Sequence, residues 1–548
     1  MADAAHGGFP TVGLYSRFGW NHPGPFAFYA MAPFDWISGG ASWGLLLGSA
    51  VWSFAALAAA VWLAARRGGL GTVALAVGAQ AATWIAMGGA AALDPWTPNL
   101  AAVLVVPLVL AAWGAAVGDM AAVAAFLVVA AIAPQVHVGY LVIVAALVVA
   151  AAALGWPDRA RWKQRTVLVG LAVAGLIWLP VVMDLVLGRT HNVSRLWRYF
   201  RSDVMPSAGV AAGARIVALE SHPLPTWVTG PRPVGLFAEA GGASWWWLVA
   251  LAAALVGGRA LARERGDHRS YALATICGVS LGAAVVAASQ VRGTRFQYLV
   301  YWRTPIVVLA IGAAASLFLP ELVRRLAPRR RAGPAIVAAL LATAAVVGAS
   351  AAAATAKQVT RHGDDVAPLL ASITERPVAP VLVRLADSGF VGTAPAVLRW
   401  LDQRGVDAGV DPNRTWVFGD RGLAPERAGE FWYVTDTGWA FSLLSALPGA
   451  RVIAERTPLD PADEARLVAL HRELAAELTA AGFDDEVISF DSVLVELALK
   501  QVPGIDDAAL NELAGFNERL ARPGARFGIV AFAPADSPGR LPWPLAGF

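Results

Sequence analysis

The sequence predicts an α-helical polytopic membrane domain followed by a C-terminal α/β domain outside the membrane. Three observations carry that prediction. Hydrophobic residues make up 57% of the 548 and charged residues only 15%, with a mean hydropathy of +0.56, well outside the range of soluble globular chains. Apolar runs near the ~20 residues that a membrane helix needs recur to about residue 352 and then stop. Arg and Lys fall in alternate connections between those runs, as retention of positive charge on the cytoplasmic side requires. The net charge of +4 is small for this length and its basic residues sit in short loops, so nucleic-acid binding gains no support. A single cysteine, Cys277, excludes an intramolecular disulfide and a Cys-based metal site.

Residues 1–42 read as an external loop in which Pro23, Gly24 and Pro25 fix a turn, and Phe26, Phe28, Tyr29 and Phe34 suit a helix in the headgroup layer. Ten apolar runs follow within 43–352, at about 43–65, 70–93, 99–117, 120–134, 139–155, 166–187, 243–262, 271–289, 304–320 and 333–352. The fourth and fifth are short and split by Pro134, Gln135 and His137; together they are too long for one broken span and are read as two helices. Arg66 and Arg67, the 159–165 cluster, the 259–269 cluster and the 324–331 cluster mark the cytoplasmic loops. The remaining connections, and everything after 353, face outward, which makes the chain a multi-pass plasma-membrane protein. That topology puts the N-terminus outside, although residues 1–23 hold no apolar signal run. The charge pattern favours a further helix upstream of Met1, giving eleven spans, over an N-out start that uses the first span as a reverse anchor.

Beyond residue 357 strand-like segments alternate with amphipathic helices, so 357–548 reads as an extracytoplasmic soluble α/β domain. Pro380–Leu385, Thr415–Phe418, Phe431–Thr435, Arg451–Ala454 and Phe527–Phe532 are the expected strands. The expected helices cover 394–404, 437–446, 461–482 and 505–521.

Polar residues near a membrane are costly and call for a function, and here most lie on the outer side. Arg17, Asn21 and His22 stand in the densest aromatic segment; an interfacial anchor explains the aromatics but not these three. Asp94 closes the turn between the second and third spans, where Thr97 or Asn99 can cap the next helix. Gln135 and His137 occupy another external turn, where a histidine can bind phosphate, shuttle a proton or be structural. His191, Asn192 and Arg195 open the 188–242 loop among Trp197, Tyr199 and Phe200, a mixture that suits either an anionic headgroup or a lipid-facing amphipathic helix. Arg292, Arg295 and Arg303 share one outer loop with Tyr298, against the positive-inside trend. An anionic ligand would supply a reason, and pairing with carboxylates of the soluble domain is the structural alternative.

The stretch Tyr15-Ser16-Arg17-Phe18-Gly19-Trp20-Asn21-His22-Pro23-Gly24-Pro25 resembles the His-Pro segment after the first external loop of actinobacterial GT-C membrane glycosyltransferases, the arabinofuranosyl- and mannosyltransferase-like proteins. The Gln135-Val136-His137 turn, the His191-Asn192 segment and the Arg295–Trp302 loop are similar to such proteins too, so the resemblance covers most of 9–352. It implies transfer of a sugar from a polyprenyl-phosphate donor to an envelope glycan or lipid acceptor on the outer face. It further implies a carboxylate base, Asp3 or Asp94, since the first external loop that carries this residue in the superfamily is largely absent here. His137, His191, Arg195, Arg292 and Arg295 would bind the phosphate, Asn21 and His22 would line the sugar site, and spans near 271–320 would hold the lipid tail. No cofactor is expected, because no metal-binding motif is present; members of the superfamily differ in their use of a divalent cation. Two rival readings are a catalytically dead scaffold and a flippase, the latter opposed by spans that are Ala, Val and Leu throughout except for Gln80 and Asp184.

Overall fold

The computed structural model describes residues 2–5, 7–16, 18–187, 190–202, 206–231, 239–326, 361–386, 393–419, 421–435, 441, 444–457, 459–482, 507–521 and 527–538. The chain divides into two compact units, Met1–Val359 and Thr360–Phe548.

The first unit is helical. Its helices are α1 (Ala2–Ala5), α2 (Phe26–Ile37), α3 (Ser42–Met87), α4 (Thr97–Ala102), α5 (Val105–Ala116), α6 (Met120–Val136), α7 (Leu141–Gly155), α8 (Arg165–Leu187), α9 (Asn192–Arg201), α10 (Gly209–Ala218), α11 (Thr226–Thr229), α12 (Trp246–Glu264), α13 (His268–Ser289) and α14 (Arg303–Leu326). Among the described residues seven helical stretches are long and apolar enough to cross a membrane, and α6 is a shorter apolar helix. The count is seven rather than ten partly because α3 holds two of the expected runs. Gly69, at φ 68° and ψ −166°, breaks it just after Arg66 and Arg67, a conformation that only glycine adopts without strain. The second half of α3 ends at Met87, not near 93, and a 3₁₀ turn covers Gly89–Ala92. The run at 333–352 lies outside the described residues.

α5 is buried along its whole length and forms the centre of the unit, as expected of a helix that is apolar all round. α8 instead lies at the edge and exposes Leu176 and Val186, 68% and 75% accessible. An apolar surface of that extent is sustained by lipid, so the protein is membrane-associated. Lipid supplies no hydrophobic drive between helices, and close backbone packing takes its place. Gly170 of α8 shows this, since a Cβ there would sit 2.7 Å from the Ala124 Cα. The helix ends are tied by polar contacts. Asp119 caps α6 through the Ala121 and Ala122 N–H groups and accepts from Arg66 and Arg67 at 2.8 and 3.2 Å. Elsewhere Arg303 meets Glu220 at 2.7 Å, with both side chains buried. The Thr226 hydroxyl donates to the same carboxylate at 2.8 Å. The carboxylate that answers Arg303 therefore comes from the 188–242 loop.

The second unit is built on a five-stranded sheet of order β2-β1-β3-β5-β4. Its strands are β1 (Val381–Leu385), β2 (Ala408–Val410), β3 (Glu430–Thr435), β4 (Arg451–Arg456) and β5 (Phe527–Phe532). β1 is parallel to β2 and β3, whereas β5 runs antiparallel to β3 and β4. Side chains alternate across the sheet as the pleat requires. Val381, Val383, Trp432, Val434 and Ile529 pack with Leu398, Trp400 and Leu401 of helix Thr393–Gln403. Leu382, Phe431, Tyr433 and Val530 pack on the other face with Phe441 and Leu444. One expected strand is corrected: Thr415–Phe418 is a single helical turn, preceded by the 3₁₀ turn Pro412–Arg414 and closed by Gly419 at φ 75°. β2 and helix Arg361–Ser372 were not foreseen. Most of the expected helix at 437–446 lies outside the described residues.

Candidate functional site

Residues 13–16 and 18–22 pair as a tight hairpin, closed by the Tyr15–Asn21 bridge, with Gly13 N–H donating to the His22 carbonyl at 2.9 Å and Ser16 N–H to the Trp20 carbonyl at 2.6 Å. The buried Asn192 side chain grips this hairpin from the start of α9. Its Oδ1 accepts from the Asn21 N–H and its Nδ2 donates to the Asn21 carbonyl, both at 2.8 Å, so one amide satisfies both backbone groups of its partner. Asp184, at the end of α8, accepts from the Thr11 hydroxyl at 3.2 Å and the Thr190 hydroxyl and N–H at 2.9 and 3.1 Å. The 11–22 segment is thereby locked to the end of α8 and the start of α9, more than 160 residues along the chain.

The hairpin places His22 against His137, ring centroids 4.5 Å apart, and both side chains are buried. Val138 N–H donates to His22 Nδ1 and Gly139 N–H to His137 Nδ1, each at 3.2 Å. Each imidazole thus accepts at Nδ1 and keeps its proton on Nε2 when neutral. Burial holds His22 well below the usual histidine range, helped by the neighbouring His137, and burial lowers His137 to about 4. A neutral His137 offers a hydrogen bond but no charge to a phosphate. Gln135 is not in a turn: it lies in the last turn of α6, buried, and donates to the Ile177 carbonyl at 2.8 Å.

Asp94 is half-buried and accepts the Trp96 N–H at 2.9 Å through Oδ1. Burial raises its carboxyl above the usual range and the Trp96 bond opposes that rise. Its Oδ2 has no hydrogen-bond partner among the described residues. Trp96 packs on Tyr298 at 4.6 Å. Tyr15 of the hairpin is pushed up by burial and by the nearby Tyr298. The expectation that Thr97 or Asn99 caps the next helix is corrected: α4 begins at Thr97 with no side-chain cap. The buried Thr97 hydroxyl and Asn99 Oδ1 have no partner among the described residues, nor has Trp302 Nε1. Unpartnered buried polar atoms such as Thr97 Oγ1 and Asn99 Oδ1 cluster at functional positions more often than in ordinary cores.

Beside the hairpin lies an open groove of about 460 Å³, lined by Phe18, Trp20, Arg195, Arg198, Tyr199 and Ser202. Phe18 stacks on Tyr199 at 4.8 Å. Trp20 touches Tyr199 on one side and His22 on the other, at 5.5 Å each, and so separates groove from histidine pair. Arg195 is half-buried; its backbone N–H donates to the His191 carbonyl at 3.0 Å, and its guanidinium has no hydrogen bond or ion pair among the described residues. Arg292 packs over Tyr199 at 5.6 Å and donates to the carbonyls of Phe200, at 2.8 Å, and Ser202.

The structure thus brings Asn21, His22, His137, Asn192, Arg195, Arg292 and Tyr298 into one region, to which Asp94 is linked through Trp96. His191 is exposed, at φ 52°. The side chain of Arg295 is half-buried, and its carbonyl accepts from the Ala240 N–H at 2.6 Å. Asp3 lies in α1 with its side chain outside the description, and Arg17 is outside the described residues. The anchoring role of Asp184 and the partner Glu220 were missed. The only signal for Asp184 was a carboxylate in an Ala, Val and Leu span, and for Glu220 an acid in a loop otherwise rich in arginine. Among the described residues no group of His, Cys, Asp or Glu could hold a metal ion. No family model matches the chain, and no curated protein is similar to it.

Proposed function

We propose that the protein is a membrane glycosyltransferase that moves a sugar from a polyprenyl-phosphate donor to an envelope glycan or lipid acceptor at the outer membrane face. The observation that carries this reading is the open groove in which Arg195, unpaired among the described residues, and Arg198 lie among Phe18, Trp20 and Tyr199. Guanidinium groups suit a phosphate, and aromatic faces suit a sugar ring or a prenyl chain. Asp94 takes the proton of the acceptor hydroxyl, the freed oxygen bonds to the anomeric carbon, and the bond from that carbon to the phosphate oxygen breaks. Polyprenyl phosphate leaves with the electron pair, and Arg195 and Arg198 stabilise its charge. A carboxylate raised by burial is better matched to neutral pH as a base than one in water. Asp94 is preferred to Asp3 because its Oδ2 has no hydrogen-bond partner among the described residues and Thr97 and Asn99, a few positions along the chain, also keep unpartnered buried atoms.

The test is transfer from polyprenyl-phosphate sugars to a cell-envelope glycan acceptor by the full chain in liposomes. Asp94→Asn is expected to lower kcat by roughly 10² to 10⁴ with KM little changed, as loss of a general base does. Arg195→Ala is expected to raise KM for the donor. A scaffold without catalysis is favoured by one observation: Arg292 and Arg303, two of the three arginines that broke the charge rule, are engaged inside the protein. Donor binding with no glycosidic product from any donor, unaltered by Asp94→Asn, would give that reading precedence.

A further inference from the structure

At the end of the membrane unit where Arg66, Arg67 and Asp119 meet, a second opening takes no part in the proposed chemistry. A groove of about 690 Å³ runs between α3, α6 and α8. Its floor is made of small side chains, Ala121, Ala125 and Val129 of α6, facing Gly170 of α8. One wall is the exposed Trp62, whose ring carries the Arg66 guanidinium at 5.0 Å while Asp119 pins that guanidinium from the other side. At one end stands Arg165, the first residue of α8, exposed and with a guanidinium that has no hydrogen bond or ion pair among the described residues.

Charge and depth identify the occupant. The lining spans nine residues on each helix, 121–129 and 165–173, whose ends are about 12 Å apart at a rise of 1.5 Å per residue, against about 15 Å for one leaflet of the hydrocarbon core. The 3₁₀ segment Trp156–Lys163 just before α8 packs Trp156 edge-on to Trp162 at 6.1 Å and sets Arg159 over Trp156 at 5.0 Å. Tryptophan and arginine in this combination mark the headgroup layer. Arg159 is occupied by Trp156, and Arg161 donates to the Gly118 carbonyl at 3.4 Å. Of the basic residues in this cluster, Arg165 is the one that lines the groove. A cation at headgroup depth above an apolar slot one leaflet long matches a phosphate joined to an acyl chain. A zwitterionic lipid would bring its own cation.

We propose that this groove holds one acyl chain of an anionic phospholipid, with the headgroup phosphate against Arg165. The proposal does not depend on the transferase reading. The test uses the full chain in phosphatidylcholine nanodiscs doped with phosphatidylglycerol that carries a photoreactive acyl chain, with crosslinks mapped by peptide mass spectrometry. Labelling is expected to concentrate on 121–129 and 166–173. Arg165→Gln is expected to reduce it about five-fold, the equivalent of about 1 kcal/mol for one basic residue at an anionic surface. Arg165→Lys should retain most of it, which separates a charge effect from misfolding, and Ala125→Phe should block it by filling the slot. Equal labelling by a photoreactive phosphatidylcholine would overturn the proposal, as would unchanged labelling in Arg165→Gln. Displacement by polyprenyl phosphate but not by phosphatidylglycerol would overturn the choice of lipid.

Discussion

At the scale of single residues, the region around the hairpin depends on side chains that satisfy backbone groups of distant segments. Asn192 is the clearest case. Asn192→Ala leaves the N–H and carbonyl of Asn21 without their partner in a buried place, so a loss of about 1–3 kcal/mol is expected. Thermal unfolding in detergent would register it, and an unchanged Tm would mean that water replaces the amide without cost. The histidine pair makes a prediction in pH. Both groups have folded values below the unfolded 6.5, so the unfolded chain binds more protons between those values. Stability is then fully present above about pH 6.5 and falls as pH drops toward about 4. Asp94 acts in the opposite sense, because a carboxyl raised in the folded state gains stability on protonation. The measurement therefore belongs in an Asp94→Asn background, where Tm is expected to decline from pH 7 to 5 and the decline to shrink in His22→Gln/His137→Gln. A flat profile would mean that the imidazoles are not held neutral. None of this pairing was legible in the sequence. Asn21, His22, His137 and Asn192 could be flagged as costly polar residues, but which of them meet depends on contacts across more than a hundred positions.

At the scale of elements, the apolar runs were legible because a span needs length and hydropathy, both of which are local. The joints between them were not. Arg66 and Arg67 announced a turn after the first run, yet Gly68, Gly69 and Gly71 all stood ready to make it. Only Gly69 has the positive φ. Gly69→Ala forces a Cβ into a region closed to other residues and should cost about 1–3 kcal/mol, and with α3 misdirected it should also lower yield in the membrane. Gly71, which is helical with nothing within 4 Å of a built Cβ, should tolerate alanine or gain up to about 1 kcal/mol. Equal effects at the two positions would place the hinge elsewhere. Thr97 and Asn99 show the converse failure. Their residue types fit a helix cap, but α4 starts without one and buries both, because packing around the Asp94 turn outweighs local capping preference.

At the scale of the molecule, two kinds of solvent shape one chain. The first unit leaves Leu and Val outward on α8 and buries α5 completely, the arrangement of helices in lipid. The second unit hides both faces of a five-stranded sheet, Trp432 and Val434 on one side and Tyr433 and Phe431 on the other. That contrast was legible as the end of the apolar runs near residue 352 and the onset of strand-like segments alternating with amphipathic helices. The order of the strands was not, since β2 is only three residues long and β5 returns from far along the chain to sit between β3 and β4. Each unit has its own apolar core, and the second has the sheet register to fold without the first. Residues 360–548 expressed alone are therefore expected to be soluble, to give mixed helix and strand circular dichroism, and to unfold in one cooperative transition. Trp432→Ala in that fragment removes the centre of one face and should cost about 3–5 kcal/mol. A fragment that aggregates, or that melts without cooperativity, would mean that its core is completed by the membrane unit, and the two would then have to be treated as one folding body.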